Sequence, residues 1–317
     1  MQTQQTPTKG ATIIDGRAIA ESIKDEIRRE LDALRARESV RLCLAVVRVG
    51  DDPASIVYVR NKLKTSEELG FASEHHALPK ETTTARLLDL IKDLNERNEV
   101  DGILVQLPLP AHIDEEKILT NIDPEKDVDG FHPLNIGRLV RGETALAPCT
   151  PAGIVELLDR SGCEIAGRHA CIVGRSHIVG RPLAALLLQR DATITICHSH
   201  TKDLAAITSI ADILIVAVGR INLIRGANIK AGATVIDVGM NNLTDVNSVD
   251  DLFAANEASE RRKLIERKGS TLVGDVNRRE AEAVAGRLTP VPGGVGPMTI
   301  AMLMKNTLNA ATRRRNL

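Results

Sequence analysis

The sequence predicts an α/β protein of two domains, each a parallel sheet flanked by helices, the second of the doubly wound, Rossmann-like kind. Three observations carry this expectation. The chain has 317 residues, more than one small core needs at about 150 residues per domain. Helix and strand periodicities alternate along most of its length. A glycine-rich turn, Gly174-Arg175-Ser176-His177-Ile178-Val179-Gly180, lies between an apolar strand and an apolar helix, the order in which open α/β sheets bind dinucleotides.

The start, Met1 to Lys9, is polar and is expected to be disordered. Ala18, Ile19, Ile23, Ile27, Leu31 and Leu34 then recur at helical spacing, and the apolar run Leu42 to Val49 reads as a strand. Helices are expected near Pro53 to Leu69 and Thr84 to Asn95, with strands near Phe71 to Leu78 and Gly102 to Gln106. In Pro148-Cys149-Thr150-Pro151, Thr150 reads as an N-cap with Pro151 at the first helical position, so a helix should run to about Ser161. That helix marks the boundary between a domain of residues 1–150 and one of residues 151–297. Beyond it, Ala170 to Val173, Thr193 to Cys197, Ile213 to Val216 and Thr234 to Val238 are short β-branched runs separated by helical segments. From Asn241 to Lys268 apolar density falls, and this stretch reads as a peripheral insertion whose part from Asn256 to Lys268 is a charged surface helix. The last helix follows Pro292-Gly293-Gly294-Val295-Gly296-Pro297, whose glycines permit close approach of backbone to a ligand.

Composition excludes several function classes. Forty-one basic and forty-two acidic residues leave a net charge of -1, so no global field draws the chain to nucleic acid or an anionic membrane. The basic Arg313, Arg314 and Arg315 read as a solvated tail. Five cysteines without C-x-x-C spacing argue against a disulfide framework or zinc site and fit a reducing cytoplasm. Neither a leader-like apolar segment nor eighteen continuous apolar residues occur.

The turn at Gly174 departs from G-x-G-x-x-G, with Ser176 at the second glycine and one more residue before Gly180. The next strand ends at Cys197-His198-Ser199-His200-Thr201, where an NAD enzyme would place an acid on the ribose 2′-hydroxyl; none is present. Arg175 and Ser199 suit a 2′-phosphate instead, which favours NADP. The His198 and His200 pair lacks a companion carboxylate or thiolate pair, so no metal is expected.

Tyr58 and Lys62 lie four apart on one helix and can flank the same ligand, although an exposed lysine beside a half-buried tyrosine is the blander reading. Gln106 sits at a strand end, the ligand-binding edge of parallel sheets, and Asp129 adds a loop carboxylate; singly these read as a polar strand end and a turn former.

Together, Tyr58-Val-x-x-Lys62, Val105-Gln-Leu-Pro-Leu-Pro110, Asp127-Val-Asp-Gly-Phe131, Gly174-Arg-Ser-x-x-Val-Gly180-x-Pro182 and Pro290-Val-Pro-Gly-Gly-Val-Gly-Pro-Met298 resemble the bifunctional methylenetetrahydrofolate dehydrogenase/cyclohydrolase family, in that family's order and over nearly the whole chain after residue 11. The resemblance implies a folate-binding catalytic domain completed by a returning C-terminal helix, residues 298–317. It implies that Lys62 is the catalytic amine, that Gln106 is its hydrogen-bond partner, that Tyr58 packs on the aminobenzoyl ring and that Asp129 binds the pterin. It places Ser55 near Lys62, Val105 and Leu107 beside the substrate, and Pro292, Gly293, Gly294, Val295 and Gly296 along the folate cleft. Gly174, Arg175, Ser176 and Ser199 would bind NADP, with a backbone contact at Met240, where the family usually has isoleucine. A homodimer is implied as well.

The chemistry fits these residue types. Hydride leaves the methylene bridge for NADP, and water then attacks the methenyl carbon to give the formyl product, so the protein must align two molecules and manage protons. An amine serving the second step needs a pKa lowered by burial or neighbouring cations. A short-chain dehydrogenase also uses Tyr-x-x-x-Lys, but there the pair follows the glycine-rich turn, whereas here it precedes Gly174. A non-catalytic folate or dinucleotide sensor is the remaining alternative, and it would have no need of the amine.

Overall fold

The computed structural model of the protein describes residues 10–37 and 41–317; Met1 to Lys9, expected to be disordered, lies outside them. The chain divides into two compact units, Ala20–Ala152 with Thr299–Leu317, and the stretch ending at Ile19 with Gly153–Met298. The elements in order are β1 (Thr12–Ile13), α1 (Gly16–Arg37), β2 (Cys43–Val49), α2 (Pro53–Glu68), β3 (Ala72–Leu78), α3 (Thr84–Glu96), β4 (Gly102–Val105), α4 (Glu115–Asn121), α5 (Pro133–Val140) and α6 (Cys149–Arg160). They continue as β5 (His169–Val173), α7 (Gly180–Leu188), β6 (Thr193–Cys197), α8 (Leu204–Thr208), β7 (Ile213–Val216), β8 (Thr234–Asp237), β9 (Asn241–Leu243), α9 (Val249–Leu252), α10 (Ala255–Lys268), β10 (Thr271–Val273), α11 (Arg278–Val284), β11 (Arg287–Leu288) and α12 (Val295–Arg315).

In the first unit a parallel sheet of order β3-β2-β4 is fully buried along β2 and β4, which is why those strands read as apolar runs interrupted only by Arg48. Helix α3 starts where Thr83 accepts from the Arg86 N–H at 3.2 Å, and its Leu87, Ile91 and Leu94 stripe packs on Val47 and Val105. Its end is held by Lys126, whose ammonium donates to the carbonyls of Leu94, Asn95 and Arg97 at 3.0, 2.6 and 2.7 Å, satisfying three orphan acceptors with a positive charge.

Residues Thr299–Leu317 of the C-terminal helix group with this unit. Asn306 donates to the carbonyls of Val128 and Ala147, both at 2.9 Å. Arg314 donates to the Val100 carbonyl at 2.9 Å, and Arg315 pairs at 2.6 Å with Asp101, a carboxylate that is 0 % exposed and also accepts from the Cys43 N–H. The expected solvated tail is therefore corrected: a buried carboxylate at the start of β4 demands a cation, and the helix end supplies it.

The second unit carries a six-stranded parallel sheet of order β1-β11-β8-β7-β5-β6. Chain order reverses between β5 and its neighbours β6 and β7, which makes the β5/β7 junction the switch point. Two findings depart from the sequence reading. The N-terminal strand pairs with β11, so residues near the start join this sheet and not the first domain. Helix α6 begins at Cys149, putting Thr150 inside the helix with its hydroxyl 3.1 Å from that of Thr299, while the Pro148 carbonyl accepts from the Ala152 N–H.

The stretch expected to be a peripheral insertion carries a small core of its own. Strands β9 and β10 pair antiparallel, and Leu243, Val249, Leu252, Phe253, Ala258, Ile265 and Val273 bury one another in a small core. Helix α10 is charged over most of its surface yet turns Ala258, Arg261 and Ile265 inward. Among the described residues no helix is long and apolar enough to cross a membrane.

Replacing Arg315 with Ala should lower the unfolding free energy by about 1–3 kcal/mol, because Asp101 stays buried with only Arg314 left nearby. Urea unfolding measures this, and an unchanged midpoint would show that the helix end docks without the ion pair.

Candidate active site

The first cluster is built on α2. Asp52 caps the helix by accepting from the Ser55 N–H at 2.7 Å, and Pro53 occupies the first helical turn, which fixes the rotation of all that follows. Ser55, Val59, Lys62 and Ser66 then form the inward stripe, at i, i+4, i+7 and i+11. Lys62 is only 8 % exposed, an unusual place for an ammonium. Its Nζ donates to the Gln106 Oε1 at 3.0 Å, and the amide of that same side chain donates to the Leu107 carbonyl at 2.7 Å. With one side of its amide spent on the backbone, Gln106 can present only its oxygen to the amine.

Gln106 follows β4 directly, its own N–H bonded to the Val47 carbonyl of β2, so it stands at the carboxyl end of the sheet. Val105 is buried in the core beneath it, and Leu107 precedes Pro108 through a cis bond. Tyr58 lies one helical turn before Lys62 with 40 % of its surface exposed, offering a ring face to a ligand.

Two aspartates follow in the loop after α4, and the fold separates their roles. Asp127 is 2 % exposed and consumed locally, accepting from the His132 N–H at 2.8 Å and the Asn135 amide at 3.0 Å. Asp129 is partly buried; loss of solvent pushes its carboxyl up, while the Lys62 charge pulls it down and Asp127 pushes it up. Lys62, Gln106 and Asp129 thus form one electrostatic group. The buried thiol of Cys149, close enough to feel both charges, is driven well above the usual thiol range and bonds the Val128 carbonyl, so it stays protonated and unreactive.

In the other unit the turn after β5 is closely packed. Gly174 has φ +127°, and a β-carbon there would lie 2.3 Å from the Ala217 carbonyl oxygen, while one on Gly180 would lie 2.2 Å from that of Gly174. Val179 caps α7 without a side-chain bond, and the Ser176 hydroxyl accepts from the Val179 N–H at 3.2 Å. Gly180 donates to the same hydroxyl at 3.4 Å, Arg181 donates to the Ser176 carbonyl at 3.1 Å and Pro182 has no N–H, so Ser176 collects the donors of the first turn. Arg175 and Ser199 are both exposed, at the carboxyl ends of the paired strands β5 and β6. His198 accepts from the His200 N–H and is held below the usual imidazole range by desolvation, Arg175 and His200. No group of three or more metal-binding side chains occurs among the described residues. Met240 follows β8 and is 43 % exposed; the loop Pro292-Gly293-Gly294-Val295-Gly296 runs into α12, tightened by the Gly294 N–H to the Pro290 carbonyl at 2.8 Å.

Sequence reading missed the device that shapes these loops. Asp275, 0 % exposed, accepts from the N–H groups of Val218, Gly219 and Arg220 at 2.8, 3.0 and 2.8 Å and from the Asn241 amide at 2.9 Å. Asp237, at the end of β8, accepts from the N–H groups of Gly239, Asp275 and Val276 at 3.0, 2.9 and 3.0 Å; burial, against these bonds, pushes its carboxyl up to about 7. A β-carbon on Gly239 would meet Asp275, and one on Gly274 would meet Asp237, so each glycine makes room for the other's aspartate. The only signal in the sequence is the pairing of Asp237-Val-Gly239 with Gly274-Asp275, thirty-odd residues apart.

Comparison with known proteins covers nearly the whole chain. Residues 14–129 match the model of the tetrahydrofolate dehydrogenase/cyclohydrolase catalytic domain, and residues 148–315 that of its NAD(P)-binding domain. The chain is 52% identical over 305 residues to the bifunctional protein FolD of Koribacter versatilis, spanning 96% of this chain and 98% of that one. It is 50% identical over 307 residues to the protein of that name from Magnetococcus marinus, spanning 97% and 99%. Among solved structures it is similar to the bifunctional methylenetetrahydrofolate dehydrogenase/cyclohydrolase of Campylobacter jejuni, with TM-score 0.86, 43% identity and 96% and 99% of the two chains covered. It is also similar to the Trypanosoma brucei enzyme complexed with NADP cofactor and inhibitor, with TM-score 0.87, 39% identity and 98% and 100% covered.

Asp275→Asn replaces acceptor lone pairs with an N–H₂ group facing backbone donors. It should weaken dinucleotide binding about tenfold or more, the equivalent of losing one charge-assisted hydrogen bond. A folded variant that binds NADP as the parent does, by fluorescence titration, would rule out this account of the loops.

Proposed function

From the premise that the chain belongs to the tetrahydrofolate dehydrogenase/cyclohydrolase family, we propose a division of labour among its residues for the two reactions that membership entails. The protein is an enzyme: it oxidises 5,10-methylenetetrahydrofolate to 5,10-methenyltetrahydrofolate with NADP and hydrolyses the product to 10-formyltetrahydrofolate, within one-carbon metabolism. The observation that carries our reading is the 8 % exposed Lys62 amine held at 3.0 Å by Gln106, with the Asp129 carboxyl in its field. Burying an amine on one neutral partner is costly, and a protein that only bound folate would gain nothing by it.

NADP, when bound, supplies a hydride acceptor. Gly174 and Ser176 shape the turn for its pyrophosphate, Arg175 and Ser199 take the 2′-phosphate, and Met240 offers backbone beside it. For the oxidation the protein needs only alignment, and Tyr58, Ser55, Val105, Leu107 and the loop Pro292 to Gly296 provide it by packing on the folate, with Asp129 bonding the pterin. The hydrolysis is different. Water brings two protons to the methenyl carbon; one ends on the folate nitrogen N5 as the carbon–N5 bond breaks, and the other leaves. Lys62 handles these transfers, and Gln106 keeps its nitrogen in place.

We further propose a homodimer in the cytoplasm. Symmetric dimers are the commonest soluble assembly, and β6 is an open edge of the six-stranded sheet with Ile196 exposed on it and Leu188 exposed at the end of the preceding helix. All five cysteines are free thiols, which suits a reducing compartment.

Lys62→Met keeps the stem and removes the amine. Hydrolysis of the methenyl compound should fall about a hundred- to ten-thousand-fold, with folate and NADP still bound and part of the dehydrogenase rate retained. Parent-rate hydrolysis by a folded variant, followed by absorbance, would return Lys62 to a structural role. Arg175→Ala should raise the KM for NADP about tenfold while changing that for NAD less, and equal losses for both would refute the 2′-phosphate assignment. Light scattering at micromolar concentration should give twice the chain mass of 34.3 kDa, and a monomer would refute the dimer.

A further inference from the structure

We infer that Arg261, in the segment between β8 and α11 that the sequence marks as an insertion, is a positioning residue that sets the loop Pro292 to Gly296 for folate. The inference rests on the reading that this loop lines the folate site.

A guanidinium has five N–H donors in a fixed planar fork. In Arg261, 9 % exposed, all five are used. Nε and Nη2 donate to the Glu257 Oε1 at 3.2 and 2.8 Å, one turn back on the same helix. Nη1 donates to the Thr271 hydroxyl at 3.1 Å and the Leu272 carbonyl at 3.0 Å, both on β10. The remaining Nη2 hydrogen reaches the Val291 carbonyl at 3.0 Å. The guanidinium carbon lies 4.8 Å from the centre of the Phe253 ring, so its flat face is covered as well as its edges.

Four of those five bonds hold the segment to itself. The fifth leaves it, and its acceptor is the carbonyl immediately before Pro292. A charged group that has given up water for five hydrogen bonds to four acceptor atoms cannot shift toward one of them without stretching the others, so its position is fixed by the whole set. The Val291 carbonyl is thereby fixed too. Downstream, the Gly294 N–H bonds back to the Pro290 carbonyl and α12 begins at Val295, so the loop has little slack between its anchor and the helix. Glu257 also pairs with Arg278 at 3.2 Å, which ties the carboxylate that orients Arg261 to the first turn of α11. The small core of Leu243, Val249, Leu252, Phe253, Ala258, Ile265 and Val273 then has a function: it is the foundation that holds one guanidinium against one loop carbonyl.

A role confined to holding α10 on β10 would lower stability alone. A positioning role separates the two substrates, because the loop is assigned to folate and the Gly174 turn to NADP. Arg261→Gln should raise the KM for 5,10-methylenetetrahydrofolate about tenfold, with the NADP dissociation constant within twofold of the parent. Arg261→Lys, whose three donors cannot make all five hydrogen bonds, should be intermediate. Should Arg261→Gln fail to fold, Glu257→Gln gives the same split more mildly, about two- to threefold, by weakening the carboxylate that orients the fork. Unchanged folate KM in a folded Arg261 or Glu257 variant overturns the inference, as do equal losses for folate and NADP. Gly296→Ala separates this from the underlying reading: a β-carbon there meets nothing closer than the Met240 sulfur at 3.8 Å, so the fold admits it. If Gly296→Ala also leaves the folate KM unchanged, the loop is not at the folate site; if it raises the KM while the Arg261 variants do not, only the positioning role fails.

Discussion

Two buried carboxylates, Asp237 and Asp275, hold the loops at the carboxyl edge of the six-stranded sheet, and the shape of that edge depends on them. A parallel sheet brings all its strand ends to one side, where the backbone leaves the ladder and its N–H groups need new acceptors. Here six backbone N–H groups and one amide converge on two side chains. Asp237 bonds the backbone of Asp275, and Asp275 bonds the loop after β7, so displacement of either carboxylate reaches the other. Carboxylates in such nests are costly to desolvate and costly to remove, which makes the arrangement rigid.

The first unit solves the same problem with cations. Lys126 satisfies three carbonyls at the end of α3, and Arg314 and Arg315 neutralise Asp101 at the start of β4. Lys126 has all three of its donors filled by backbone carbonyls. Lys62 differs, because Gln106 occupies one of the amine's donors. On the proposed reading, that contrast within one unit leaves Lys62 with donors for chemistry.

The segment from Asn241 to Val273 shows why low apolar density is an unsafe guide to location. Its core residues are few and widely spaced, so no periodicity stands out over a window of helical length, yet they meet in space. Arg261 counts as polar in any hydropathy reading and is nine-tenths buried, because Phe253 covers its face and four acceptor atoms surround its edges. Composition averages over residues, whereas burial depends on which partners the fold supplies.

By itself the sequence determined the two α/β arrangements, through short strands rich in apolar and β-branched residues and helices whose stripes report one buried face. It also determined the family, because the Tyr58, Val105, Asp127, Gly174 and Pro290 motifs are local and each keeps its residue types for chemical reasons. Only tertiary structure decided the rest. That Thr12 and Ile13 pair with β11 depends on a partner more than two hundred residues away, and a two-residue strand has no periodicity to read. That Thr150 faces Thr299 and does not cap its helix follows from packing that competes with local preference. The roles of Asp237, Asp275 and Arg261 rest on hydrogen bonds to backbone atoms, and a backbone donor or acceptor is the same in every residue. Sequence can therefore name the side chain that needs partners, but which main-chain atoms meet it is settled by the fold.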